Sequence, residues 1–404
     1  MKMSTRITGI NGGGSDGWDV YYRAKQMQAA GEDVTMLTIG EHDIGTDRSI
    51  LDAMHAAALA GHVGYSAFNG NRNLRERVAR RVADRTGVRT TPENVLVVPG
   101  GQAGLFASHH GACDEGDAAL FIDPYYATYP GTIRSVGARP VAVKARSERG
   151  FEPQYDDLCE AAVANPDARS LLINTPNNPT GKVYSAETMD GIARVCLDHD
   201  LWLISDEVYD TQVWQGRHIT ARSLPDMQAR TLVIGSLSKS HAMTGSRIGW
   251  IVGSEDAIEC LGHLSTQTTY GVADFVQEAA CFALDRGEAF EAQIGAPFLR
   301  RRDLVLDMVA RQNLIRALPA EGAMYVMLDI RATGLSGEDF AHRLLDMYQV
   351  AVMPGESFGT AAAGHLRVAL TVEDNRLRDA IDHILGLAAH LTATTQTTGT
   401  TVSV

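Results

Sequence analysis

Short runs of β-branched and apolar residues recur along the chain between stretches of helical spacing. They are VLVVP from Val95, AALFID from Ala118, PVAVKA from Pro140, SLLINTP from Ser170, LWLISDE from Leu201, TLVIGSL from Thr231 and RIGWIVG from Arg247. Strand-like runs alternating with helix-like ones predict an α/β sheet. Several runs are apolar without a polar alternate, the pattern of central strands covered by helices on both faces. AETMDGIARVCLDHD illustrates the helices between them: Ile192, Val195 and Cys196 fall on one face, and Glu187 sits in the first turn.

Near residue 285 the rhythm changes to long helical segments, including FLRRRDLVLDMVARQ, then a short strand-like VMLDI and a final helix from about Asp374. With 404 residues the chain exceeds the usual size of a single core. The expected organisation is an arm and small-domain segment over 1–45, a large domain over 46–285 and a smaller domain over 286–390. The Thr-rich, uncharged end, 391–404, lacks apolar periodicity and reads as a mobile tail. No internal repeat is visible.

Composition narrows the function classes. Apolar residues make up 45% of the chain and charged residues 21%, ample for a core. The formal net charge of −13, with no offsetting Lys/Arg run, repels phosphate backbones and anionic lipid, so neither nucleic acid nor a membrane surface is an expected partner. No stretch approaches the roughly 20 apolar residues of a membrane span, and the N-terminus lacks the apolar run of a secretory signal; a cytoplasmic location is expected. Five cysteines, Cys113, Cys159, Cys196, Cys260 and Cys281, are scattered without C-x-x-C spacing. They read as reduced thiols, and no metal site is expected.

The candidate chemistry is concentrated in SLSKSHAMTGSRIGW, residues 236–250. Lys239 offers an amine to an aldehyde, Ser236 and Ser238 offer hydroxyls to a phosphate, and Arg247 can neutralise that phosphate with its planar fork. Alone this could be a basic loop. Upstream, LISDEVYD places Asp206 at a strand end with Tyr209 three residues on. A carboxylate there can hold a pyridine nitrogen protonated, or can simply cap the next helix. In NTPNNPTG, Asn178 can donate to a phenolate, as Tyr209 can, although Asn-Asn-Pro is also an ordinary turn. In VVPGGQAGL, the amides of Gly101 and Gln102 open a helix and can form an anion site.

Together and in this order, these motifs resemble the class I and II aminotransferase family, from about Asp16 to about Gly386. The matching positions are Gly40 in TIGEHD, Tyr65 in GYSAFNG, Gly101-Gln102, Tyr126 in DPYYATYP, Asn178, Asp206 with Tyr209, Lys239 with Arg247, and Arg367 in GHLRVAL. The resemblance implies a fold-type I α/β architecture: a large domain with a mostly parallel central sheet flanked by helices, plus a smaller α+β domain. It also implies pyridoxal 5'-phosphate as cofactor, carried on Lys239. Lys239, Asp206 and Tyr209 would be catalytic, and Gly101, Gln102, Tyr126, Asn178, Ser236, Ser238 and Arg247 would contact the cofactor. Tyr65 and a loop near Tyr270 would do so across a homodimer interface. Arg367 would clamp the substrate carboxylate, with Gly40, Asn178 and Trp18 beside it. An L-amino acid and a 2-oxo acid would then react in turn by a ping-pong mechanism. Two positions depart from the family pattern: Tyr126 stands where many members have Trp, and His42 stands where the first loop often has proline.

Several stretches, among them WDVYYRA and SLSKSHAMTGSRIGWIVG with His241 and the Trp18-Asp19 pair, look like bacterial arginine:pyruvate transaminases. That suggests a basic donor and pyruvate as acceptor. Asp16, Asp19, Glu41 and Asp43 are the acids placed to meet a guanidinium, and a second arginine for a dicarboxylate is not evident. Aromatic amino acids, alanine and aspartate remain alternative donors. Lyases and racemases of the same fold use the same lysine, since the ring stabilises the same carbanion. A cofactor-binding sensor fused to a DNA reader is disfavoured by the acidic charge and the lack of a helix-turn-helix extension.

Overall fold

All seven apolar runs form strands of one sheet. After helices Thr5–Thr8 and Asp19–Ala29 comes a strand of a second sheet, β1 (Thr35–Leu37), followed by β2 (Val95–Val98), β3 (Ala118–Asp123), β4 (Arg139–Lys144), β5 (Ala168–Asn174), β6 (Trp202–Asp206), β7 (Thr231–Ser236) and β8 (Gly249–Val252). Their spatial order is β2-β8-β7-β6-β5-β3-β4. Only β8 runs antiparallel to its neighbours. The computed structural model describes residues 1–13 and 17–399, the side chains of 394–399 excepted.

The unbroken apolar runs have a direct cause in this sheet. β2, β3, β7 and β8 are buried at every position, so both faces need apolar side chains. Leu96, Val98, Ile234 and Ile251 pack on one side with Leu105, Ile133 and Leu261, while Val95, Val97, Val233 and Trp250 pack on the other with Val78, Ala279 and Ile294. The edge strand β4 is exposed at Arg139, Ala142 and Lys144 and so carries charge at both ends.

The remaining strands, β9 (Arg316–Ala317), β10 (Tyr325–Asp329), β11 (Val350–Pro354) and β12 (His365–Ala369), form a second sheet with β1, in the order β1-β11-β12-β10-β9. β1 is parallel to β11 and the other pairs are antiparallel. Helices Gly337–Tyr348 and Asp374–Gly399 cover it through Phe340, Leu344, Ile381 and Ile384. Because β1 joins this sheet, residues 38–43 lead directly from it toward the ends of the large-sheet strands.

The last helix continues to Gly399, through residues where the sequence suggested a tail from 391. Leu387 and Ala388 are buried at its base, and Thr392 bonds back to the carbonyls of Ala388 and Ala389, so the packed part of the helix carries the backbone onward. Residues 400–404 lie outside the described residues. Among the described residues, no helix is long and apolar enough to cross a membrane.

Candidate active site

β5, β6 and β7 end side by side at Asn174, Asp206 and Ser236, and a cleft of about 270 Å³ opens at these carboxyl ends, closed on its far side by residues of the second sheet. Lys239 follows β7 through the short turn Leu237–Ser240 and its amine donates to the carbonyl of Gly40. Burial pulls this amine down to about 8, against the nearby charge of Glu41. Burial therefore favours the neutral, nucleophilic form of this amine.

One end of the cleft suits an anion. Helix Gly101–Ala112 starts there with its first backbone amides unsatisfied by the helix itself. Gly100, at φ 85°, approaches Arg247 so closely that a Cβ would run into the guanidinium. Arg247 holds a left-handed backbone, φ 50° and ψ 54°, and donates to the carbonyl of Thr244 at 2.9 Å. It has no ion pair among the described residues, so its charge is unspent. Ser236 Oγ donates to the Ile248 carbonyl at 3.0 Å and lies 3.0 Å from Ser238 Oγ.

The floor of the cleft suits a cation. Asp206 is 5% exposed, and burial pushes its carboxyl up to about 6. Its Oδ2 accepts from Tyr129 at 2.6 Å, and its Oδ1 only a long 3.4 Å bond from the Val208 amide. No cationic side chain lies within ion-pair distance of it among the described residues. Asn174, its cross-strand neighbour, donates to the Asp206 carbonyl at 2.8 Å and accepts from the Asn178 amide at 2.7 Å, tying the two loops together. Tyr126 supplies an aromatic wall, and the hydroxyls of Tyr209 and Tyr325 lie 3.0 Å apart.

The other end suits a carboxylate. Arg367, on β12, is fully buried with no acid beside it, held between the rings of Tyr325 and Phe358 at 4.4 and 4.3 Å. It donates to Asn178 Oδ1 at 2.9 Å and to the Thr38 carbonyl, and its Nε has no partner. The Asn178 amide nitrogen is thereby turned to donate elsewhere. Gly40 must be glycine, because a Cβ would overlap the Tyr325 hydroxyl.

Gly40, Gly101, Gln102, Tyr126, Asn178, Asp206, Tyr209, Ser236, Ser238, Lys239, Arg247, Arg367 and Trp18 thus share one cleft. Tyr65 does not line it: its side chain is 90% exposed and packs edge-on against Tyr270 at 5.2 Å. Asp43 is unavailable to a substrate, because it holds Arg301 through two bonds of 3.0 and 2.6 Å. Of the four acids considered, Glu41 lines the cleft, where it accepts from Thr244 at 3.0 Å. Asp19 opens helix Asp19–Ala29 away from the lining, and Asp16 lies outside the described residues. His42 is buried edge-on against Phe298 at 5.1 Å, which pulls its ring down to about 4. Sequence reasoning missed Tyr129, Asn174, Tyr325 and Phe358. Tyr129 sits three residues after Tyr126 and Asn174 four before Asn178, spacings that hinted at shared loops. Nothing local marks Tyr325 or Phe358.

The residues fit pyridoxal 5'-phosphate: a poised amine, a buried carboxylate lacking a cation, an aromatic wall, and unsatisfied amides beside an unpaired arginine. The sequence signature of the family described as Aminotransferase class I and II matches residues 32–384. Arginine–pyruvate transaminase of Pseudomonas aeruginosa is 40% identical over 391 residues, 97% of this chain and 99% of its own length. The aspartate/prephenate aminotransferase of Thermus thermophilus is 33% identical, across 91% of this chain and 94% of its own. Among solved structures, aspartate aminotransferase from Thermus thermophilus with maleate superposes with a TM-score of 0.89 at 31% identity, covering 96% of this chain and 100% of that one.

Proposed function

The chain belongs to the class I and II aminotransferase family and is an enzyme of the transferase class, and from that premise we propose that it uses pyridoxal 5'-phosphate to move an amino group from an L-amino acid to a 2-oxo acid in a ping-pong cycle. The observation that carries this reading is the convergence of the Lys239 amine, the Asp206 carboxylate and the unpaired Arg367 guanidinium on one cleft.

When bound, the cofactor supplies an aldehyde to receive the amino group and a ring that accepts electrons from the substrate α-carbon. The remaining work falls to side chains. The Gly101 and Gln102 amides, Ser236, Ser238 and Arg247 hold the phosphate. Asp206 would hold the ring nitrogen protonated, Tyr126 would supply an aromatic wall to the ring, and Tyr209 with the Asn178 amide would donate to its oxygen. Arg367 takes the substrate carboxylate through two parallel bonds, beside Gly40 and Trp18. Lys239 would take the α-proton of the bound amino acid on the lone pair of its neutral amine. Burial lowers this amine and so favours the neutral form that can take a proton.

We further propose arginine as donor and pyruvate as acceptor. Support comes from the 40% identical relative and from Glu41, the acid at the cleft wall. The cleft offers Arg247 and Arg367 but no third arginine for a dicarboxylate side chain. A homodimer completes the proposal, with Tyr65 reaching the partner's phosphate. Its support is the exposed cluster of Tyr65, Phe68 and Tyr270, whose rings pack on one another. The division into 1–45, 46–285 and 286–390 is kept as the domain reading.

The test is half-transamination. The yellow holoenzyme is mixed separately with L-arginine, L-alanine and L-aspartate, and loss of visible absorbance is followed. Fast bleaching with arginine, restored by pyruvate, is the expected result. Bleaching with other donors alone would discard arginine, and ammonia release without an acceptor would make the enzyme a lyase.

A further inference from the structure

Asp206 is the group on which the floor of the cleft depends, yet it is poorly supported for a buried carboxylate. Its one short bond comes from the Tyr129 hydroxyl at 2.6 Å. The titratable groups that face it are Tyr126, Tyr129, Glu207, Tyr209 and Lys239. Glu207 repels it, and is itself held on the other side by Ser205, His218 and Thr220. Tyr129 is buried and its hydroxyl makes this bond alone among the described residues. It stands in the first turn of the short helix Tyr129–Ser135, whose neighbours also fix the cleft. Tyr126 packs edge-on against the Tyr129 ring at 5.7 Å. Thr128 and Thr132 pin the Gln102 side chain at 3.0 and 2.7 Å.

We propose that Tyr129 is the positioning residue for Asp206: its hydroxyl keeps the carboxylate ionised and its other oxygen turned toward the cofactor's ring nitrogen. The inference rests on the pyridoxal-phosphate reading above and deepens it. The physics is a charge-assisted bond in a dry site. A donor to Oδ2 stabilises the charged carboxylate where water cannot, and leaves Oδ1, with only a long bond to an amide, free to take the ring N–H. Without the hydroxyl the carboxyl binds a proton more readily, and an uncharged Asp206 no longer holds the ring nitrogen protonated.

The experiment uses the full-length protein with Tyr129→Phe, which removes one oxygen and keeps the ring that packs in the core. Expected are an apoprotein melting curve close to wild type, a dissociation constant for pyridoxal 5'-phosphate raised about tenfold, and a visible-band pH titration displaced by about one unit. The loss should vanish in an Asp206→Asn background, because the hydroxyl then has no carboxylate to act on. An unchanged dissociation constant with an unmoved titration would overturn the proposal. If Tyr129→Phe does not fold, 3-fluorotyrosine at 129 decides instead. Its more acidic hydroxyl should move the Asp206 carboxyl NMR titration to lower pH, and no movement would overturn the proposal. A wild-type protein that takes up no pyridoxal phosphate would defeat the functional reading itself, a result distinct from either of these.

Discussion

Lys239 and Arg367 are both cations that burial penalises. An amine held near 8 in the fold, against 10.5 free, is penalised by burial. Between those values the unfolded chain binds more protons than the folded one, so this group's contribution to stability improves as pH rises from 8 to 10.5 and is fully unfavourable below 8. Lys239→Met should therefore abolish transamination while stabilising the apoprotein by about 2 kcal/mol at pH 7. Urea denaturation checks this, and the gain should fade toward pH 10.5. Arg367 is buried, has no ion pair among the described residues and is braced by two aromatic rings, so its charge is left for the proposed substrate carboxylate. Lysine cannot make the paired bonds. Arg367→Lys should raise KM for both the amino acid and the 2-oxo acid by about 10- to 100-fold, with a smaller fall in kcat, in steady-state kinetics.

At the level of elements, the carboxyl ends of β5, β6 and β7 do most of the positioning. Strand pairing sets Asn174 beside Asp206, and the turn after β7 brings Lys239 over them. The second sheet delivers Arg367 and Tyr325 on the antiparallel neighbours β12 and β10, in register at Met327 and Tyr325 across from Arg367 and Ala369. Residues after β1 bring Gly40 beneath Tyr325, where a side chain has no room. Gly40→Ala should displace the 39–43 loop and weaken substrate binding at least tenfold while the cofactor band stays intact; a normal KM in that variant would contradict the geometry. Legibility differed between the two sheets. The strands of the large sheet are apolar on both faces and announce themselves in sequence. In the second sheet β1 and β9 are too short to show a pattern, at three and two residues. Asp43 illustrates the limit at a single site: its sequence neighbourhood gave it to the substrate, and a helix some 258 residues away gave it to Arg301.

At the scale of the whole molecule, Tyr65, Phe68 and Tyr270 form an exposed aromatic cluster. If two copies meet there, dilution that separates them should lower cofactor affinity together with dimer mass, followed by light scattering and absorbance. Tyr65→Phe should loosen the cofactor several-fold and leave the dimer mass unchanged, since it removes a hydroxyl and keeps the apolar ring.

The sequence by itself determined the sheet-forming runs, the order of the motifs and most of the side chains that line the cleft. Those are local properties: burial on two faces forces uninterrupted apolar runs, and an aldehyde and a phosphate demand particular side chains at short spacing. Tertiary structure decided which acid stays available, how Arg367 is braced, and that Tyr129 supports Asp206. Each of these depends on which side chains meet across distant parts of the chain, and burial fixes the protonation of groups like Lys239 and Asp206 only after those walls have closed around them.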